Sequence, residues 1–264
     1  MVARLPRPER GTMISFAQVT KGYGNAAVIE NISLTIERGA FVALVGASGA
    51  GKTTLLKAIN RLVKIDGGTI HVDGDDIASL PLTTLRRRIG YVFQGVGLFP
   101  HMTVAENIWL APRLQGAAPG GRAERVAHLL DLVSLPADMA DRLPAHLSGG
   151  QAQRVGFARA LGAAPSIMLM DEPFGALDPV TRSELGRAYR ALHERMGLTS
   201  VLVTHDMAEA LLLADRVIVL GGGAVLADLP PRDLLDFRGE PGVRAMIDVA
   251  RYQADRLEAL ARAD

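Results

Sequence analysis

The chain has 264 residues, 48% of them hydrophobic, and its 29 Lys and Arg against 28 Asp and Glu leave a formal charge of +1. Such a length buries a sizeable core, which excludes a fully disordered protein, and the interspersed signs give no electrostatic footprint for nucleic acid as a partner. With no cysteine, disulfides, thiolate metal sites and Cys nucleophiles are excluded, and any bound metal is expected on oxygen ligands.

The charged, proline-bearing segment Met1–Arg10 lacks the apolar stretch of a signal peptide or anchor, so residues 1–12 read as a flexible leader. From Ile14 to Val72, short alternating runs (Val28-Ile29, Ile32–Ile36, Thr69–Val72) separated by Gly and Asp-Gly turns predict β-hairpin structure. Embedded in it, Phe41–Val45 reads as a buried strand. After it come Gly46-Ala47-Ser48-Gly49-Ala50-Gly51-Lys52-Thr53 and then helical spacing over Thr54–Val63. A glycine-rich turn between strand and helix lets backbone N–H groups surround a phosphate. Lys52 adds a mobile charge, and Thr53 offers a hydroxyl to Mg²⁺. This predicts a nucleoside triphosphate site.

From Leu98 to Arg159 the spacing turns helical (104–110, 122–133, 151–161), predicting a helical subdomain over about 97–159. Within it, Leu147-Ser148-Gly149-Gly150-Gln151 opens a helix, so its unpaired N–H groups and dipole form a second anion cradle. One nucleotide cannot easily use two separate cradles on one subunit, which predicts a head-to-tail pair of chains.

The run Ser166–Met170, a helix over 179–196 and Ser200–Val203 follow in βαβ order, implying a parallel sheet, and Arg216–Leu220 reads as another strand. The first of these strands ends in Asp171-Glu172, an arrangement in which one acid holds Mg²⁺ and the next orients or deprotonates water. After Pro230 a short helix is expected. A longer one from Gly242 to about Ala263 carries Val243, Met246, Ile247, Ala250, Ala254, Leu257 and Leu260 on one stripe, for docking onto its own domain or onto a partner. No segment approaches the roughly 18 apolar residues that span a bilayer, so a soluble or peripheral protein is expected.

These motifs, in this order from Ile14 to Leu226, resemble the ATP-binding subunit of ATP-binding cassette (ABC) transporters. The resemblance implies an α/β fold: a P-loop NTPase core with a parallel sheet, an antiparallel β-subdomain and an inserted α-helical subdomain. It implies a cassette over 13–228 and a helical tail over 229–264. By that similarity Tyr23 would stack on adenine, and Gly46, Ala47, Ser48, Gly49, Ala50, Gly51, Lys52, Thr53 and Thr54 would bind the phosphates of ATP. Thr53, Gln94 and Asp171 would serve Mg²⁺. Glu172 would be the general base, with Gln94 sensing the membrane partner and His205 contacting the γ-phosphate. Ser148, Gly149, Gly150 and Gln151 would close on the ATP of a second copy, and Ala176-Leu177-Asp178 would bridge the pair.

The partners implied are transmembrane permease subunits, a periplasmic or extracellular solute-binding protein and a second copy of the chain, with no nucleic acid. The location implied is the cytoplasmic face of the bacterial inner membrane, peripherally. The stretch Gly90–Ile108 and the run Asp171–Arg182 are similar to importers of glycine betaine, choline and related osmoprotectants. Polar amino-acid importers share Leu98–Val104, an exporter subunit would have the same ATP site, and a non-transport ABC ATPase usually adds a coiled coil or a second cassette. A P-loop GTPase would need an Asn-Lys-x-Asp motif, which is missing.

Overall fold

The computed structural model describes residues 11–261, with side chains described through residue 256. Of the leader expected over 1–12, residues 1–10 lie outside the described residues, and Thr12 already pairs with Glu37.

Strands β1 (Thr12–Tyr23) and β2 (Ala26–Glu37) form the expected hairpin, followed by the fully buried β3 (Phe41–Val45) and helix α1 (Lys52–Ile59). Helix α1 starts two residues earlier than its apolar spacing suggests, because Gly51 turns left-handed directly ahead of Lys52, and it stops at Ile59, where Asn60 caps it and Arg61 adopts φ 54°. Next come β4 (Gly67–Val72), β5 (Asp75–Asp76), α2 (Leu82–Arg87) and β6 (Ile89–Val92). The helical region holds α3 (Val104–Leu114), α4 (Arg122–Leu132), two short 3₁₀ turns and α5 (Gly149–Leu161). The remainder is β7 (Ile167–Asp171), α6 (Pro179–Met196), β8 (Thr199–Thr204), α7 (Met207–Leu213), β9 (Arg216–Gly221), β10 (Ala224–Leu229), α8 (Pro231–Leu235) and α9 (Pro241–Ala261).

Two sheets result. The antiparallel one has the order β2-β1-β4-β5; the other runs β10-β9-β3-β8-β7-β6, parallel throughout except for the edge strand β10. Successive side chains of a strand point to opposite faces, and β3 divides its residues accordingly. Val42 and Leu44 pack with Leu55, Leu56 and the antiparallel sheet, whereas Phe41, Ala43 and Val45 pack with the helical region and α6, α7 and α9. The central strands are covered on both faces, which is why β3, β7 and β8 are continuously buried rather than alternating.

The tail docks on its own chain. Val243 and Ile247 of α9 are buried in the core, with Met246 and Ala250 partly buried beside them, whereas Ala254 is exposed. Leu257 and Leu260 lie outside the described side chains. Among the described residues, no helix is long and apolar enough to cross a membrane.

Candidate active site

In a parallel sheet the carboxyl ends of the strands share one edge, and ligands bind there. The order β3-β8-β7-β6 therefore brings together four segments distant in sequence: the glycine-rich turn after β3, His205 after β8, Glu172 after β7 and Gln94 after β6. One cavity of about 620 Å³ is lined by Tyr23, Val28, Ser48 to Thr54, Gln94, Glu172 and His205.

The glycines at its floor are required by the backbone. Gly46 has φ 154°, and a side chain there would run into the Leu220 carbonyl oxygen. Gly51 has φ 92° and would bring a Cβ to 2.6 Å from the Val28 carbonyl oxygen. The Lys52 ammonium donates to the carbonyl oxygens of Gly46 at 2.7 Å and Ala47 at 2.8 Å. Burial lowers its affinity for the proton, while the nearby carboxylates of Glu172 and Asp171 oppose that shift.

Beside the cavity, Thr53 Oγ1 donates to Asp171 Oδ1 at 2.7 Å, and Asp171 Oδ2 accepts from Tyr91 Oη at 3.4 Å and faces Lys57 Nζ at 3.5 Å. Asp171 is nearly inaccessible. Desolvation and the Asp171 charge push the Tyr91 phenol above its ordinary range, so it stays a neutral donor. A hydroxyl and a carboxylate in contact are hard-oxygen donors of the kind that suits Mg²⁺. Glu172 Oε2 accepts from Gln94 Nε2 and lies against His205 Nδ1, both at 3.4 Å. The Glu172 backbone is left-handed, φ 45°, with its N–H donating to the Val203 carbonyl oxygen at 3.0 Å. Strained backbone of this kind clusters at functional sites.

Ser148 to Gln151 lie elsewhere, lining a separate cavity of about 500 Å³ with Arg154, Leu177, Asp178, Thr181 and Glu184. Not every N–H of this segment is available as the sequence suggests. Ser148 Oγ accepts from Gln151 N at 3.3 Å and Gln151 Oε1 accepts from Ser148 N at 3.0 Å, a reciprocal capping box at the start of α5. The donors of Gly149 and Gly150 remain at the helix end. Asp178 likewise belongs to this second cavity and not to the first, and it caps α6 by accepting from Thr181 N at 3.0 Å. Gly46, Ala47 and Asp171 sit beneath the first cavity rather than on its wall.

Sequence reasoning missed Lys57 and Tyr91. Lys57 falls one helical turn after Thr53, so a helix starting at Lys52 directs both toward Asp171; Tyr91 becomes a neighbour only once β6 is paired with β7.

A glycine-rich turn between strand and helix, a carboxylate pair at a strand end and a separate glycine-rich helix start are the arrangement of an ATPase cassette. Residues 29–175 match the ABC transporter family. The chain belongs to that family and is one of its ATP-hydrolysing subunits.

Its relatives include the glycine betaine uptake system ATP-binding protein YehX of Escherichia coli K12, 44% identical over 263 residues, covering 96% of this chain and 85% of that protein. The choline transport ATP-binding protein OpuBA of Bacillus subtilis is 46% identical over 224 residues, covering 84% of this chain, which spans 59% of OpuBA's length. Among solved structures, the dimeric post-hydrolysis state of the ATP-binding cassette MJ0796 bound to ADP and Pi aligns with TM-score 0.74 at 36% identity, covering 83% of this chain and 99% of that one.

Proposed function

We propose that this chain powers the import of a small osmoprotectant, glycine betaine or choline, by hydrolysing ATP on the cytoplasmic face of a bacterial membrane beneath a permease fed by a solute-binding protein. The observation that carries the energetic half is the separation of the two cavities: the phosphate turn and Glu172 line one, and the glycine-rich start of α5 lines the other. A head-to-tail pair completes each first cavity with the second cavity of the other copy.

In that pair Tyr23 stacks on adenine, the turn from Gly46 to Thr54 surrounds the phosphates, and Lys52 exchanges its carbonyl partners for phosphate oxygens. Thr53, Asp171 and Gln94 are the residues that would hold Mg²⁺, whose chemistry is to neutralise charge developing on the phosphate oxygens. Glu172 accepts the proton of the attacking water, and Gln94 and His205 orient that water and the terminal phosphate. The Gly149 and Gly150 N–H groups of the other copy close over the same phosphate. Hydrolysis removes what joins the copies, and their separation becomes the motion delivered to the permease.

A groove of about 770 Å³ lies between the parallel sheet and the helical region, lined by Leu82, Phe93, Phe99, Leu114, Arg86 and Arg159 among others. It begins at the segment after Gln94 and suits an amphipathic helix of a permease.

The solute assignment draws on the relatives that transport glycine betaine and choline. Its test is ATP hydrolysis by the complex reconstituted with its permease and binding protein, with betaine, choline, proline or another amino acid added singly. Stimulation by betaine or choline is expected. Stimulation only by another solute would overturn the assignment and leave the ATPase chemistry standing.

A further inference from the structure

We infer that Arg182 is a positioning residue for hydrolysis, tying the loop that carries Glu172 to the turn that carries His205. The inference rests on the roles proposed above for those two side chains.

Arg182 touches neither of them. It stands one turn into α6, its guanidinium directed back at the preceding loop, where Nη2 donates to the carbonyl oxygens of Leu177 at 3.2 Å and Gly175 at 3.5 Å. On its other side Nη1 lies 3.6 Å from Asp206 Oδ2. Asp206 is held in turn. Its Oδ1 accepts from Ala208 N at 2.9 Å and Glu209 N at 3.2 Å, capping α7, and its own N–H donates to Thr204 Oγ1 at 3.0 Å. The loop is anchored at its far end by the Gly175 N–H, which donates to the Glu172 carbonyl oxygen at 3.3 Å.

A planar, forked cation therefore spans the two segments whose tips meet at the 3.4 Å contact between His205 Nδ1 and Glu172 Oε2. Lysine, a point charge on a flexible stem, lacks the rigid fork that reaches the two carbonyls from one nitrogen and the carboxylate from the other. The guanidinium also bears a cost, because its Nε is buried with no hydrogen-bond partner among the described residues. The contacts made by Nη1 and Nη2 must offset that cost in the folded chain. Since the bridged loop ends at Leu177-Asp178 in the second cavity, a copy arriving there would press on the carbonyls that Arg182 grips, and the same guanidinium would carry that displacement to Asp206 and His205.

Steady-state ATP hydrolysis and equilibrium ATP binding of the full-length chain test this with Arg182→Ala, Arg182→Lys, Asp206→Asn and the double variant Arg182→Ala/Asp206→Asn. In Asp206→Asn the side-chain amide keeps the cap and loses the charge. The expected result is a fall in kcat of about tenfold or more for Arg182→Ala, in line with misplacement at a distance. KM and ATP affinity should stay within about twofold, Arg182→Lys should be intermediate, and the double variant should be no worse than Arg182→Ala, as for one coupled unit. Wild-type kcat, a rise in KM at constant kcat, or losses that multiply in the double variant would overturn it. If Arg182→Ala does not fold, Arg182→Lys decides: reduced kcat at an unchanged melting temperature supports the tie, and wild-type kcat refutes it.

Glu172→Gln, assayed alongside, separates the two levels. If it retains turnover, the reading of the site fails and takes this inference with it. If it abolishes turnover while Arg182→Ala and Arg182→Lys remain at wild type, only the tie fails.

Discussion

At the scale of single residues, the glycine-rich turn shows why one pattern of glycines is not interchangeable with another. Gly46 and Gly49 both have positive φ, yet a side chain at Gly49 points into open space whereas one at Gly46 meets main chain. Gly49→Ala should therefore cost only the left-handed strain, about 1–2 kcal/mol, while Gly46→Ala should cost clearly more, because the Leu220 carbonyl belongs to a buried strand that cannot withdraw. Denaturant unfolding of the two variants without nucleotide checks this; equal losses would contradict the steric account. The residues of the turn and the carboxylate pair were legible because each motif is contiguous. The left-handed Glu172 and the role of Arg182 were not, since both depend on partners contributed by β8 and the turn after it.

At the scale of elements, the interface between α6 and the parallel sheet buries a polar chain. Tyr189 Oη and His193 Nδ1 both meet Ser200 Oγ, at 2.7 and 2.9 Å, under the edge of the Phe41 ring. Burial lowers the His193 pKa from its ordinary 6.5, and Arg190 adds to that shift, so the folded chain keeps the imidazole neutral where the unfolded chain would protonate it. The unfolded state then binds more protons, and stability falls as pH drops through the ordinary histidine value. Melting temperatures at pH 8 and pH 5.5 should show this drop in the wild type and a shallower one in His193→Gln; identical slopes would exclude His193 as the source.

Longer elements were readable from periodicity alone; most bounds moved by a residue or two, whereas α1 ends four residues before the expected Val63 and α3 runs four beyond the expected Leu110. The elements that were missed have local causes. Helices α2 and α7 span six and seven residues, too few to display an apolar period. Strand β6 contains Gly90, where a side chain would collide with Met168 Sδ at 2.5 Å and the Ala160 carbonyl oxygen at 2.7 Å. That glycine is set by the close approach of α5, which no local pattern records.

At the scale of the whole molecule, the separation of the two cavities dictates a behaviour of mixtures. Ser148→Arg blocks the second cavity and Lys52→Ala disables the first, so each variant alone should lose hydrolysis. Mixed in equal amounts, they should regain part of it, because a mixed pair assembles one site from the intact half of each copy. Phosphate release across mixing ratios measures this; a mixture as inactive as its components would argue against head-to-tail sharing. The sequence revealed both glycine-rich segments, but the order β3-β8-β7-β6, which decides that Glu172 and His205 meet beside one of them and Asp178 beside the other, is a property of the assembled sheet.

The backbone at Glu172 sets a limit on how this molecule can be improved. A left-handed, non-glycine residue is held against its preference by the surrounding sheet. Any search that rewards heat resistance alone will find glycine or asparagine at this position attractive, since both accept that conformation more readily. Such a search would select against the carboxylate itself, and with Glu172 as the proposed base the most durable descendants would be those that no longer turn over.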